Sequence, residues 1–341
     1  MRRTAVALTC AALVAAAAGC GSSDDDGGGG STGASTGTET AAAAPTKTEK
    51  VDFRLNWVIA GNHAPFYLAK ANGYWSDCGL DVNMEAGKGS GDTAQLVATG
   101  SQEFGLTDAV SIVAGRSQGL PIKSLGVVYQ TNPSSFVSKK DQNITSIDAV
   151  EGKTFGAVPG GSPYLLAQAL FKENGIKPGK EVSVPAPGIA QLKTGQVDFI
   201  TFFGNEAANI DPDWQDNLNV VPFKDAGQDI YGLTIATSDD YAQSHPDQVA
   251  CFREGVIKGF EAAKQDPQAA LDALAEAEPT TKSNPEVHQQ LLDGAFEYAG
   301  DDLLTEDPQR WEETQKVLVD AGIAKQEVPV EEILLTQDAQ E

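Results

Sequence analysis

The chain has 341 residues, 48 of them acidic and 24 basic, for a formal charge of −24. Its basic residues are scattered rather than clustered, which argues against nucleic acid as a partner. No run of oxygen ligands has metal-loop spacing, so the acidity reads as a solubility device, and neither a metal nor a cofactor is expected.

Arg2 and Arg3 make a positive start, and residues 4–18 form an apolar run that ends in Ala17-Ala18-Gly19-Cys20. A bilayer core requires ~20 apolar residues, so residues 1–19 read as a removable export signal rather than an anchor. The pair Ala18-Gly19 before Cys20 resembles the lipobox of bacterial lipoproteins, which implies acylation of Cys20. Ala17 stands where a leucine is commonest, and ordinary cleavage nearby is the alternative. Several acyl chains, at ~0.8 kcal/mol per buried methylene, would keep the protein outside the cytoplasm and tied to the cell membrane. Residues 20–50, counted from the lipidated cysteine, are a flexible linker dominated by Gly, Ser, Thr, Ala and Asp, with a root-mean-square reach of roughly 30 Å. Of the four cysteines, Cys10 leaves with the signal and Cys20 carries lipid. Cys78 and Cys251 remain, either as a disulfide, which an exterior compartment permits, or as two buried thiols.

The folded part opens with alternating residues over 51–55, a strand, followed by helix formers over 64–72 that stop at Gly73. A strand over 80–85, a glycine-rich turn and a helix over 93–99 come next, then a strand over 104–107, a helix over 109–118 and a strand over 122–129. The pattern restarts after Phe136-Val137-Ser138 with a strand over 154–158, a Gly160-Gly161-Ser162 turn and a helix over 164–173. A strand near 182–184, a helix near 188–194 and an apolar run over 197–203 extend this second unit. Residues 231–236 are strand-like, and helices follow over 246–264, 267–276, 285–298 and 308–321, each with proline in its first turn. Alternating strands and helices, twice over, predict an α/β protein of two lobes.

Several motifs occur in an order that resembles one family. Leu55-Asn56-Trp57, Asn62-His63, Phe66-Tyr67-Leu68-Ala69-Lys70, Gly73-Tyr74 and Gly79-Leu80-Asp81-Val82 make the opening, and Phe104-Gly105, Arg116-Ser117-Gln118-Gly119-Leu120-Pro121, Glu151-Gly152-Lys153, Val197-Asp198-Phe199 and Asn205-Glu206 follow. The likeness covers nearly all of 51–265 and is to the NMT1/THI5-like solute-binding proteins, importer-associated binders of thiamine pyrimidine precursors related to the nitrate, sulfonate and taurine binders. It implies a type II periplasmic-binding fold with a two-strand hinge and an interlobe ligand cleft. The first lobe would be 51–138 plus 238–341 and the second 139–237, with the helical tail covering the first lobe. It also implies a monomer that passes a small molecule to an ABC permease and its ATPase, and no catalysis. Fungal relatives make the pyrimidine from pyridoxal phosphate and one of their own histidines, but the cysteine cluster of those enzymes is absent here. An interaction module with a collapsed cleft is a further alternative.

Site candidates follow from that resemblance together with residue chemistry. Trp57 would offer a flat face to a heteroaromatic ring, unless it anchors the core. Asn56, Asn62 and His63 can donate or accept, His63 being one of three histidines. Ser90 and Ser162 follow glycine turns and either meet a polar ligand group or cap helices. Asp108, after Thr107, is an N-cap or a ligand acceptor. Tyr164 and Asn205 join the set, whereas spacing assigns Tyr67 and Tyr74 to packing. Glu206 is the key candidate, since a carboxylate in a cleft can accept from both an aminopyrimidine amine and its protonated ring nitrogen. It would be a poor neighbour for sulfonate or nitrate, a modest argument against those anions, and the alternative ligands are a riboflavin-like heterocycle or sulfonate, taurine or nitrate.

Overall fold

The computed structural model describes residues 48–335 except 160, 186 and 208–211. The export signal, Cys20 and nearly all of the expected linker lie outside the described residues. The chain runs β1 (Glu49–Arg54), α1 (Ala64–Ala71), β2 (Leu80–Glu85), α2 (Ser90–Ala98), β3 (Phe104–Asp108), α3 (Ala109–Arg116) and β4 (Ile122–Val127). It then crosses to β5 (Ser134–Lys139), β6 (Thr154–Ala157), α4 (Ser162–Asn174), β7 (Lys180–Ser183), α5 (Ile189–Lys193), β8 (Phe199–Phe203), α6 (Gly204–Ala207) and β9 (Leu218–Pro222). A return crossing leads to β10 (Leu233–Ser238), α7 (Asp239–Ser244), α8 (Pro246–Gln265), α9 (Pro267–Ala277), α10 (Pro285–Ala299), α11 (Pro308–Ala321) and α12 (Val330–Ile333).

Two five-stranded sheets result, ordered β2-β1-β3-β10-β4 and β7-β6-β8-β5-β9. In each, parallel strands joined by crossover helices sit beside one antiparallel strand that directly follows a crossing segment: β10 in the first sheet, β5 in the second. The crossing segments pair with each other. Val128 and Tyr129 N–H donate to the Leu233 carbonyl at 2.7 and 2.9 Å, Gly232 N–H to Tyr129 at 2.9 Å, and Asn132 N–H to Ile230 at 2.8 Å. This two-strand hinge joins the two lobes.

Aromatic side chains fill the core of each lobe. Phe104 and Phe252 stack with centroids 3.9 Å apart, and Phe53 and Trp75 pack edge-on and face-on against the same Phe252. Under the second sheet, Phe155 stacks on Phe199 at 5.0 Å and Phe136 packs on Phe171 and Phe223. Rings of this kind bury large apolar areas and add pair terms of ~0.5–1.5 kcal/mol. The tail, expected over the first lobe alone, also reaches the second: α11 packs on both α3 and α4, and α10 touches α6.

Three local differences from the sequence reading have physical causes. Strand β1 begins at Glu49, inside the expected linker, because Glu49 and Lys50 pair with Leu80 and Asp81 of β2. Strand β4 ends at Val127 rather than 129, since the next two residues turn into the crossing segment. Strand β9 was not foreseen: it is an edge strand whose buried residues, Leu218 and Val221, do not alternate.

Cys78 and Cys251 form a disulfide with Cα atoms 6.0 Å apart, tying the chain before β2 to α8. It closes a loop of 173 residues. Replacing both cysteines by serine should lower unfolding free energy by ~3 to 5 kcal/mol through the loop entropy returned to the unfolded chain. Urea unfolding of the two proteins checks this, and an unchanged midpoint with unchanged slope would refute it.

Candidate functional site

The carboxyl ends of the parallel strands in both sheets point at the same space, as strand ends do in open α/β sheets that bind ligands. A cleft lies there, with ≈ 630 Å³ of empty space that includes its opening to solvent. From the first sheet it is lined by Asn56 and Trp57 after β1, Gly89 and Ser90 after β2, and Asp108 at the end of β3. From the second come Val158, Gly161, Ser162, Pro163 and Tyr164 after β6, Pro187 after β7, and Thr201, Phe202, Phe203 and Glu206 from β8 and α6. None of these residues is lysine, arginine or histidine.

The first-sheet wall is held by backbone. Gly87 and Gly89 N–H donate at 2.9 Å to the carbonyls of Trp57 and Asn56. A Cβ on Gly87 would sit 1.9 Å from the Leu55 carbonyl oxygen, so only glycine allows this approach. The pairing leaves Trp57 half-buried on the cavity while Trp75 and Trp311 occupy the cores. Of the two roles open to Trp57, the cavity face is therefore the one its position fits.

The polar groups link up in two directions. Asp108 caps α3, accepting from Ser111 N–H at 2.8 Å, and its other oxygen accepts a short hydrogen bond from the Ser162 hydroxyl of the second lobe. Ser90 and Ser162 each occupy the first helical position, behind Gly89 and Gly161, and neither caps its helix. Asn62 Nδ2 donates across the cleft to Glu206 Oε1 at 3.2 Å. His63 Nδ1 accepts from Ala60 N–H at 3.2 Å and its Nε2 lies 3.0 Å from Asn56 Oδ1. Complete burial lowers the imidazole to about 3, so the ring is neutral.

Four of the eleven candidates stand behind the wall rather than on it. Asn62 and His63 are buried and hold Glu206 and Asn56 respectively. Thr107 is fully buried and its hydroxyl donates to the Ser90 carbonyl at 2.8 Å, tying β3 to the glycine turn. Asn205 lies beside Gly294 of α10. Tyr164 does line the cavity, with its ring near-parallel to Phe155 and its hydroxyl donating to Glu181 at 3.0 Å. Tyr67 is buried in the first core and Tyr74 packs against it.

Sequence reasoning missed Thr201, Phe202 and Phe203. Their apolar run reads as a strand, and nothing in its composition says that the strand end opens on a cleft. Thr201 is buried, lines the cavity, and its hydroxyl has no hydrogen-bond partner among the described residues. Such an orphaned group is expected to be satisfied by bound water or ligand.

Glu206 dominates the electrostatics. Burial alone pushes its carboxyl up to about 7. The folded state therefore holds a proton that the unfolded state releases between roughly pH 4.5 and 7. The protonated carboxyl's contribution to stability is complete below that window and is lost as pH rises through it. Relative to Glu206→Gln, the wild type should lose on the order of 3 kcal/mol of unfolding free energy between pH 4.5 and 7.5. Denaturant unfolding at several pH values measures the difference, and a pH-independent gap would contradict it.

The model of the family described as NMT1/THI5 like matches residues 60–270. Among curated relatives, the riboflavin-binding protein RibY of Chloroflexus aurantiacus is 25% identical over 312 residues, 86% of this chain and 88% of that one. The formylaminopyrimidine-binding protein of Halalkalibacterium halodurans is 24% identical over 245 residues, 71% and 74% of the two chains. The 4-amino-5-hydroxymethyl-2-methylpyrimidine phosphate synthase of Uromyces fabae is 23% identical over 273 residues, 75% and 79%. Among solved structures, the alkanesulfonate-binding protein SsuA of Xanthomonas axonopodis pv. citri, bound to MOPS, superposes with a TM-score of 0.65 at 12% identity, covering 84% of this chain and 98% of its own. That likeness is one of fold, the two-lobed periplasmic-binding type. The family match spans more than half of the sequence, and the chain belongs to the NMT1/THI5-like family.

Proposed function

We propose that this protein is the extracytoplasmic solute-binding subunit of an ABC importer and takes an aminopyrimidine of the thiamine-precursor class, of the hydroxymethylpyrimidine or formylaminopyrimidine type. One observation carries the ligand class: Glu206 is a buried carboxylate facing a cavity whose lining, among the described residues, holds no basic side chain. Leaving that buried carboxylate without a further donor is costly, and an aminopyrimidine supplies an amine N–H to it while its neighbouring ring nitrogen stays free as an acceptor. Trp57 offers the ring a flat face, and the Thr201 hydroxyl offers a further hydrogen bond. Ser90, Asp108, Ser162 and Tyr164 complete the wall that the ligand meets. A sulfonate or nitrate would meet no cation in this lining, although the N-termini of α2 and α4 face it.

The importer role rests on family membership and on the cleft between hinged lobes, whose closure would present a liganded shape to a permease and its ATPase. Acylation at Cys20 would hold this monomer at the membrane, with the linker giving it reach. Among the described residues no helix is long and apolar enough to cross a membrane. Binding without chemistry is favoured over synthesis of the pyrimidine because both ring nitrogens of His63 are engaged within the fold and the residue is absent from the cavity wall. A riboflavin-like heterocycle is the second reading, supported by the relative that covers most of the chain and by the apolar wall of Trp57, Phe202 and Phe203.

Calorimetric titration with hydroxymethylpyrimidine, formylaminopyrimidine, thiamine, riboflavin, taurine and nitrate tests the proposal. A pyrimidine should bind at micromolar affinity or tighter. Glu206→Gln should cost ~2 to 3 kcal/mol, roughly 30- to 150-fold, and Trp57→Ala should also abolish tight binding. A loss below threefold for Glu206→Gln would remove the carboxylate from the site, and binding of riboflavin alone would exchange the ligand while keeping the importer.

A further inference from the structure

Hydrogen-bond direction around His63 fixes more than its own protonation. The backbone N–H of Ala60 can only donate, so Nδ1 of His63 must be the acceptor in that 3.2 Å contact. A neutral ring then carries its proton on Nε2, and the atom 3.0 Å away must accept it, which makes it the amide oxygen of Asn56. The Asn56 NH2 group is left on the other branch of the amide, and Asn56 is one of the residues that line the cavity.

Neither partner has an easy alternative. The Asn56 backbone is pinned by Gly89 N–H on its carbonyl. The turn that carries His63 is pinned by α10: Gly61 N–H donates to His288 Nδ1 at 3.1 Å, and a Cβ on Gly61 would fall 1.8 Å from the His288 carbonyl oxygen. Flipping the Asn56 amide would set two donors against each other in a dry site, an arrangement disfavoured by at least roughly tenfold.

We infer that His63 is a positioning residue for specificity: it holds Asn56 as a hydrogen-bond donor to the cleft, so that a ligand must present an acceptor to Asn56 and a donor to Glu206. This deepens the proposed function and takes its ligand class from it. The two walls then read opposite polarities, Asn56 donating from the first lobe and Glu206 accepting from the second. A heterocycle with a ring nitrogen beside an exocyclic amine carries that pair on one edge, so the same two contacts select both the compound and its orientation. His63 acts without touching the ligand.

Two measurements on the full-length protein test this. Long-range proton–nitrogen NMR of the His63 ring, assigned by loss of its signals in His63→Phe, should show the neutral tautomer protonated at Nε2. A proton on Nδ1 would overturn the inference, and this measurement requires no ligand. The second compares binding of hydroxymethylpyrimidine with its analogue in which the ring nitrogen beside the amine is replaced by C–H. Wild type should favour the nitrogen compound by roughly tenfold, and His63→Leu, with the Asn56 amide free to flip, should reduce that preference to within about threefold. An equal preference in both proteins would overturn the inference, because a merely structural histidine changes affinity for both compounds alike. A wild type that binds neither compound counts against the pyrimidine reading instead, and the ring tautomer then decides the present inference alone.

Discussion

In each sheet of this protein the one antiparallel strand is the first to follow a crossing between the lobes, and that arrangement determines where everything else can lie. Strands β5 and β10 enter their sheets antiparallel to their neighbours, so each begins at the carboxyl ends of the parallel strands. The two crossing segments must therefore run side by side, and they do so with backbone hydrogen bonds around Tyr129 and Leu233. As a result the carboxyl ends of both parallel sets face one another. The strand ends, with the turns and helix starts that follow them, supply the cavity wall, and the paired ribbon is where the chain passes between the lobes.

Within the cleft, polar groups are arranged by what each can donate or accept. Backbone N–H groups at residues 60, 61 and 111 meet His63, His288 and Asp108, and these side chains in turn orient Asn56, the turn after it, and Ser162. In a low-dielectric site a mismatched pair costs more than a made bond gains, so such a network holds each group in one role. Glu206 departs from this economy. Asn62 satisfies one oxygen, but no neighbouring charge offsets the desolvation that raises its carboxyl. Such a carboxyl, facing a cleft, is a candidate for contact with a bound group.

The tail gives the cleft a third support. Helix α10 clamps the 60–63 turn through His288 and lies beside Asn205, while α11 packs on α3 and α4. The carboxyl-terminal helices thus bridge the two lobes alongside the crossing strands. The disulfide between Cys78 and Cys251 secures α8, the longest helix among the described residues, to the chain before β2.

Much of this was legible in the residues. The alternation of strand and helix, twice over, pointed to two lobes, because local periodicity and turn chemistry are properties of neighbouring residues, and the resemblance carried by the ordered motifs from Leu55 to Glu206 implied a cleft at the strand ends. The sequence likewise placed Trp57, Ser90, Asp108, Ser162 and Glu206 near strand ends, where loops face a ligand. It could not separate residues that form the wall from those that hold it. Asn56 and His63 lie seven positions apart, yet only the folded turn makes one the donor to the cavity and the other its guide. Thr201 and Phe203 looked like any buried strand, and Thr107 like any polar residue beside a carboxylate. The pairing of Cys78 with Cys251, the Asp108–Ser162 and Asn62–Glu206 contacts across the cleft, and the bridging tail all join segments far apart in the chain. Contacts of that kind are set by how whole lobes pack, and no periodicity in the sequence records them.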